Sequence, residues 1–306
     1  MEEKKVLFVY NPKAGKEQIR NNLLDIIDTF VKAGYEVTAR PTQKAGDGIW
    51  AVKNRKKGYY DLIACSGGDG TLDEVVTAMM QCEEKLPIGY VPAGSTNDFA
   101  RSLKIPKSMK KAAEVIVEGE DYSCDVGSFN DDYFVYIAAF GLFTDVSYET
   151  KQDVKNVLGH MAYVLEGAKR LSSVQSYELR VEYEDQVIEG DFIFGMVTNS
   201  VSVGGFRDIT GKNVQLDDGV FEVTLIRRPK DPIELNTTMA ALVNRDINSD
   251  CMYCFKTNKI KIMSQREVAW TTDGEYAGSH KEVTIENKTK AMTIRVPKNE
   301  DNGKEK

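Results

Sequence analysis

The sequence predicts an α/β domain followed by a mostly antiparallel β domain. Over the first 120 residues, short apolar runs alternate with segments of helical period. Beyond Asp121 the texture changes to β-branched and aromatic runs separated by turn residues. The chain has 306 residues, the length of two ordinary domains, and 42% of them are hydrophobic, enough for two cores.

"VLFVY" (6–10) reads as a short buried strand. After "NPKAGK" a helix carries Ile19, Leu23, Ile26, Ile27, Phe30 and Val31 on one face and stops at Gly34. "YEVTARPT" is the second strand, and "GDGIWAVKNRKKG" a helix ending at Gly58. "YDLIACS" is the third strand; "TLDEVVTAMM" follows with Leu72, Val75, Val76 and Met79 at helical spacing. "LPIGYVP" is the fourth strand and "STNDFARSL" a short helix. Such alternation implies a parallel sheet covered on both faces, with ligands at the carboxyl ends of the strands. "NPKAGK", "SGGDGT" and "PAGSTND" all fall at those ends.

In the second part, "YFVYIAAF", "SYELRVEYED", "QVIEGDFIFGMVTNS", "GVFEVTLIRR", "KIKIMS", "EVAWTTDGE", "EVTIENKT" and "AMTIRVP" read as strands. Residues 151–170 and 231–245 read as helices, and the tail "KNEDNGKEK" as disordered. The expected division is 1–122, 123–297 and a tail at 298–306.

Net charge is -7. The first 120 residues carry 18 Lys+Arg against 17 Asp+Glu, and the remainder 22 against 30. That balance argues against a nucleic-acid partner. Five scattered cysteines are no disulfide framework, and reduced thiols fit a cytoplasmic protein. Cys251 and Cys254 form a lone C-x-x-C inside the strand-like run "CMYCFKTNKIKIMS", which favours a strand over a metal site. The N-terminus shows no apolar signal core, and the run "YFVYIAAFGLF" is too short to span a bilayer. The expectation is a soluble chain able to work at a membrane surface.

The stretch "CSGGDGTLDE" (65–74) fits neither a dinucleotide fingerprint, which belongs at the first strand–helix turn, nor a P-loop. Its glycines let backbone N–H groups face phosphate, with helix N-terminal polarity in support. Asp69 would repel phosphate directly, so a cation between them is the sensible arrangement. Thr71-Leu72-Asp73-Glu74 also has the form of a capping box, and Ser95-Thr96-Asn97-Asp98 a similar one.

"NPKAGK", "TQKAGD", "SGGDGTLDEVV", "PIGYVPAGSTNDFARSL", "DVG" (125–127), "LDDGVFEV" (216–223) and "DGE" (273–275) together resemble the diacylglycerol kinase catalytic family. Soluble bacterial diacylglycerol kinases are the nearest group, and sphingosine kinases are related. "GGDGT" alone is shared with NAD kinases and 6-phosphofructokinases, whereas "PAGSTNDFAR" with the late "DGE" is specific to the lipid kinases. The resemblance implies a Rossmann-like α/β nucleotide-binding domain followed by an antiparallel β-sandwich that carries the catalytic acid and a lipid pocket. It implies an ATP site lined by Asn11, Pro12, Lys13, Ala14, Gly15, Thr42, Gly67, Gly68, Asp69, Gly70, Thr71, Leu72, Asp73, Glu74, Gly94, Ser95, Asn97 and Asp98.

The same resemblance implies catalytic acids at Asp273, Glu275 and Asp69, and Mg²⁺ accompanying ATP. A second, structural Mg²⁺ would be held by the Asp218 carboxylate and the carbonyls of Gln215 and Val220. The bland reading of both "LDDGV" and "TTDGE" is a hairpin turn on Asp-Gly.

The implied activity is ATP-dependent phosphorylation of a lipid hydroxyl, diacylglycerol giving phosphatidic acid first of all. A sphingoid base or a polyprenol is the alternative acceptor. An NAD-kinase-like enzyme and a non-catalytic lipid- or nucleotide-binding regulator are the remoter readings. Peripheral contact with anionic membrane is expected through Lys13, Lys16, Arg20, Lys169 and Arg170, and a homodimer is compatible with the sequence.

Overall fold

A computed structural model describes residues 4–142, 175–204, 206–207, 214–244 and 251–298. The chain divides into two compact units, Met1–Cys124 with Ala291–Lys306, and Asp125–Lys290.

The first unit is the expected parallel sheet. β1 (Lys4–Tyr10), β2 (Tyr35–Pro41), β3 (Leu62–Gly67) and β4 (Ile88–Pro92) run in the order β2–β1–β3–β4. All three junctions are parallel, with Val6 opposite Leu62 and Cys65 opposite Tyr90. Every residue of β3 and β4 is buried, as strands covered on both faces must be. The helices are α1 (Ala14–Glu17), α2 (Ile19–Lys32), α3 (Asp47–Lys53), α4 (Asp69–Met80), α5 (Asp98–Ser102) and α6 (Met109–Glu118).

α2 buries Ile19, Ile26 and Phe30, the last edge-on to Phe8 at 5.7 Å between ring centres. Val31, expected on that face, is 55% exposed. α3 stops at Lys53 rather than Gly58. Asn54 leaves the helical region and its Nδ2 donates to the Trp50 carbonyl at 2.9 Å, a side-chain bond that competes with the next helical turn.

The second unit is antiparallel. It begins in β5 (Glu120–Phe129) and continues through β6 (Asp132–Phe134), β7 (Ile137–Gly141), β8 (Tyr177–Tyr183) and β9 (Gln186–Thr198). A short pair, β10 (Ser202–Val203) with β11 (Phe206–Arg207), precedes β12 (Phe221–Arg227). Then come α7 (Pro232–Asn244), β13 (Met252–Thr257), β14 (Lys259–Thr272) and β15 (Glu275–Val296). The pairing path is β13–β12–β9–β7–β14–β15. β7 and β8 fill the same slot between β9 and β14, one after the other. Trp270, Phe140, Phe134, Phe192 and Phe221 are the largest side chains of the core they enclose.

Two expectations change here. "KIKIMS" and "EVAWTTDGE" belong to one strand, β14, and "EVTIENKT" and "AMTIRVP" to another, β15. The register of the β14–β15 pair slips between Met263 and Val268, so bulges interrupt the sequence pattern without ending the strands. The chain's division also differs at its C-terminal end. From Ala291 onward the chain belongs to the first unit, where Ile294 lies parallel beside Ile88 of β4. Lys290, with φ 51°, marks that passage. The helix expected at 151–170 lies outside the described residues.

Truncating a wholly buried ring should cost far more than trimming an exposed one. Phe30→Ala is expected to lose about 3–5 kcal/mol of unfolding free energy. Leu24→Ala, on the outer face of the same helix at 81% exposure, should stay within about 0.5 kcal/mol of wild type. Urea denaturation of both variants checks this.

Candidate active site

The loops after β1, β3 and β4 meet backbone to backbone. Asn11 N donates to Ser66 O at 2.8 Å, and Ala93 N donates to Gly67 O at 2.7 Å. Gly15 adopts φ +55°, and a Cβ there would lie 2.0 Å from the Ala93 carbonyl oxygen. A Cβ on Gly94 would lie 2.7 Å from the Gly68 Cα. Side chains are excluded at these two places because backbone already fills them.

Asn97 fixes the third loop. It stands at φ 49°, its Oδ1 accepts from Gly94 N and its Nδ2 donates to Gly94 O, both at 2.8 Å. The Tyr90 hydroxyl lies 3.1 Å from Gly67 O and 3.3 Å from Asn97 Oδ1, bridging the second and third loops. Burial, with the Asp69 charge in support, pushes the Tyr90 hydroxyl well above its ordinary pKa, so it remains a donor.

α4 begins at Asp69, with Gly68 extended before it. This corrects the capping-box reading. Thr71 is the third helical residue, is 8% exposed, and its N–H bonds to Gly68 O at 3.0 Å, so its hydroxyl caps nothing. Leu72 is 1% exposed, a core side chain that leaves only its backbone for a ligand. Glu74 is engaged elsewhere as well. Its carboxylate accepts from Gly46 N at 2.7 Å and Gly48 N at 2.8 Å, which pins the start of α3. Asp47 pins the residues before it. The N–H groups of Gln43 and Lys44 bond its carboxylate and hold its pKa below the usual range. Thr42 is tied to β1 by its N–H to Tyr10 O at 2.8 Å. Glu74 and Asp47 thus place the Thr42 loop, a role that sequence reading did not give to either.

Asp69 Oδ2 lies 3.4 Å from both Thr96 Oγ1 and Asp98 N. Asp98 is itself 1% exposed, while Ser95 is exposed. The Asp69 carboxylate and the Thr96 hydroxyl are hard oxygens of the kind a magnesium-like cation takes, and the Asp98 N–H faces the same carboxylate. Lys13 is exposed in the first loop, where its N–H bonds to Asn11 Oδ1 at 2.9 Å, so Asn11, Pro12 and Ala14 shape a tight turn ahead of Gly15.

In the second unit the hairpin β14–β15 turns on Asp273 (φ 50°) and Gly274 (φ 85°), the two left-handed residues that a two-residue hairpin needs. The turn gives Asp273 more than geometry. It is 4% exposed, its Oδ2 accepts from Val135 N at 2.6 Å, and its Oδ1 accepts from Tyr136 N and Ile137 N at 3.0 Å. Three backbone donors therefore fix the orientation of this carboxylate. Glu275, at the start of β15, is exposed.

The "DDG" turn departs from what the resemblance implied. Asp218 Oδ1 accepts from Val220 N at 3.2 Å, and its Oδ2 accepts from the Lys256 ammonium at 3.2 Å. A cation is thus already on the carboxylate, and the set Gln215, Asp218 and Val220 does not fit a second divalent ion alongside it. The turn itself is braced by Asp125, wholly buried, which accepts from Gly219 N at 2.7 Å, Lys290 N at 2.8 Å and Asn287 Nδ2 at 3.0 Å.

Of the basic residues expected at a membrane, Lys13 and Arg20 are exposed, and Arg20 pairs with Glu17 at 3.1 Å. Lys16 lies on α1, and Lys169 and Arg170 fall outside the described residues. Cys254 lies on β13 and Cys251 immediately before it, and burial raises the Cys251 pKa, so neither forms a thiolate centre. No cluster of three or more acidic, His or Cys ligands occurs among the described residues, and no helix among them is long and apolar enough to cross a membrane.

Comparison with known proteins agrees with this arrangement. Residues 5–129 match the model of the diacylglycerol kinase catalytic domain, and residues 139–296 that of the YegS C-terminal NAD kinase beta sandwich-like domain. The diacylglycerol kinase of Bacillus subtilis (strain 168) is 33% identical over 90% of this chain and 91% of its own. That of Staphylococcus carnosus (strain TM300) is 34% identical over 90% of both. A crystal structure of a Bacillus anthracis str. Sterne protein superposes with a TM-score of 0.83 at 25% identity, covering 97% of this chain and 96% of that one. With its glycine loops in contact and relatives matched along nine-tenths of its length, the chain belongs to the diacylglycerol kinase family.

Proposed function

We propose that the chain transfers the γ-phosphoryl group of ATP to the free hydroxyl of diacylglycerol, giving phosphatidic acid and ADP. The observation that carries this reading is the contact of three glycine loops beside Asp69. Phosphoryl transfer asks mainly for positioning and charge neutralisation, and this constellation supplies both. Backbone N–H groups of the loops and of the first turn of α4 bind phosphate oxygens. Asp69, with Thr96 and Asp98, would hold Mg²⁺ at the phosphates. When bound, that ion would supply neutralisation of the charge that develops during transfer.

Asp273 receives the proton of the lipid hydroxyl as its oxygen bonds to the γ-phosphorus and ADP departs. A loose transition state rewards orientation as much as basicity, and the three donors on Asp273 hold that orientation. Glu275 is the supporting acid, or the base in its place. Attachment to anionic membrane is carried by Lys13, Lys16 and Arg20, with Lys169 and Arg170, at about 1 kcal/mol per basic residue near the surface.

The test of the reaction is labelled ATP with a panel of diacylglycerol, sphingosine and a polyprenol. Label is expected in phosphatidic acid. Labelled sphingoid or polyprenyl phosphate would move the acceptor, and ATP hydrolysis indifferent to lipid would remove the reading.

Asp69→Ala should nearly abolish turnover while leaving a folded protein, since its bonds to Thr96 and Asp98 are long. Turnover near wild type would reduce Asp69 to a turn residue.

Asp273→Asn should lower kcat by about 10²- to 10⁴-fold. It should also unfold more readily, since an amide donor now faces a backbone donor, at a cost of about 1–3 kcal/mol. Glu275→Gln, on the surface, should fold normally. A dead Glu275→Gln beside a nearly active Asp273→Asn would transfer the role to Glu275.

Reversing Lys16 and Arg20 to Glu should weaken binding to anionic vesicles at low salt. Unchanged sedimentation with vesicles would place the membrane contact elsewhere.

A further inference from the structure

β12 and β13 pair so that Glu222 stands directly opposite Lys256. Glu222 is 5% exposed, and the Lys256 ammonium approaches its Oε1 at 2.9 Å, an ion contact whose angle falls short of a hydrogen bond. The same ammonium reaches Asp218 Oδ2 at 3.2 Å, so one cation bridges two carboxylates from two consecutive parts of the chain, the turn and the strand that follows it.

We propose that Lys256 is the resident cation of the "DDG" turn and excludes a divalent ion from it. A divalent ion at Asp218 Oδ2 would stand within a few ångströms of the ammonium, and the repulsion at this half-buried place far exceeds that in bulk water. The ammonium also reaches Glu222 without a gap, which an ion bound through the Gln215 and Val220 carbonyls need not do. Binding of Mg²⁺ and seating of Lys256 are therefore alternatives. The chain is built with the second already satisfied, by a cross-strand pair that forms as β12 and β13 come together. This stands apart from the ion accompanying ATP, because it concerns the turn in the absence of nucleotide.

Thermal unfolding without nucleotide or lipid tests the proposal. The Tm of an Asp69→Ala protein, which lacks the carboxylate proposed for the nucleotide's ion, is expected to be the same in EDTA and in excess Mg²⁺; a rise with Mg²⁺ in that protein overturns the proposal. Lys256→Met should lower Tm in EDTA and recover part of the loss on adding Mg²⁺, since Asp218, Glu222 and the carbonyls then form an oxygen site lacking its cation. The double variant Lys256→Met, Asp218→Asn should lose that recovery. A Lys256→Met protein that folds and ignores Mg²⁺ also overturns the exclusion. Kinase activity plays no part in these readouts, so failure here and failure of the lipid-kinase reading are separate results.

Discussion

The buried carboxylate of Asp125 is the point on which the second unit is assembled. Its three donors come from the "DDG" turn, from Asn287 and from the backbone of Lys290. Asp125 and Lys290 are also the residues at which the chain leaves and returns to the first unit. A wholly buried carboxylate is costly unless its oxygens are bonded, and here three N–H groups bond them. The price of removing any one partner is a buried charge short of a donor, which is why such a junction tolerates little variation. Asn287 adds a side chain from a strand that is otherwise exposed on alternate residues, so one polar residue serves the sheet by facing inward.

Three other carboxylates are held in a different way. Asp273, Glu74 and Asp47 are all bonded by backbone N–H groups rather than by Lys or Arg side chains. Backbone donors cannot rotate away, so they orient a carboxylate more sharply than a flexible ammonium does. At Asp273 the same residue makes the hairpin turn and presents the oriented acid. The turn reading of "DGE" leaves room for the proposed acid, because the left-handed Asp-Gly pair is what carries the carboxylate to the 135–137 backbone. Glu74 fixes the start of α3 and with it the loop that carries Thr42.

The parallel sheet and the meeting of its three loops were legible because each rests on local signals. Apolar runs of strand length alternate with helical period, and glycines mark where backbone touches backbone. The helix ends were less legible. Thr71 has the spacing of a cap, yet α4 starts two residues earlier because Gly68 supplies the extended conformation just before it. α3 ends early because of one Asn54 side-chain bond. The return of residues 291–296 to the first sheet left no trace in composition, since a parallel neighbour of β4 and an antiparallel strand draw on the same β-branched residues. Tyr90 was read as a strand residue, and nothing in "PIGYVPAG" announces that its hydroxyl bridges two glycine loops. The Lys256 pair was invisible for the same reason. It depends on the register of β12 and β13, and sequence spacing does not fix register between strands separated by a helix.

Charge in the second half of the chain follows from these contrasts. Much of the charge there, of both signs, is engaged in short-range pairs whose partners the sheet dictates. Lys259 meets Glu286 directly across β14 and β15, Lys261 reaches Glu282 diagonally, and Arg180 of β8 takes Glu182 and Glu189. These pairs are exposed and contribute little to stability. They act instead on register, since a slip of one residue would set like charges or apolar faces against each other. The buried acids are the opposite case. Asp125 and Asp273 take backbone donors, and Glu222 takes an ammonium that Asp218 shares. A backbone donor is fixed in number and place, whereas an ammonium can be exchanged for another cation of similar reach. Among the described residues, Glu222 is the buried acid of this unit that faces an ammonium, and there the chain's own charge and a dissolved ion can compete.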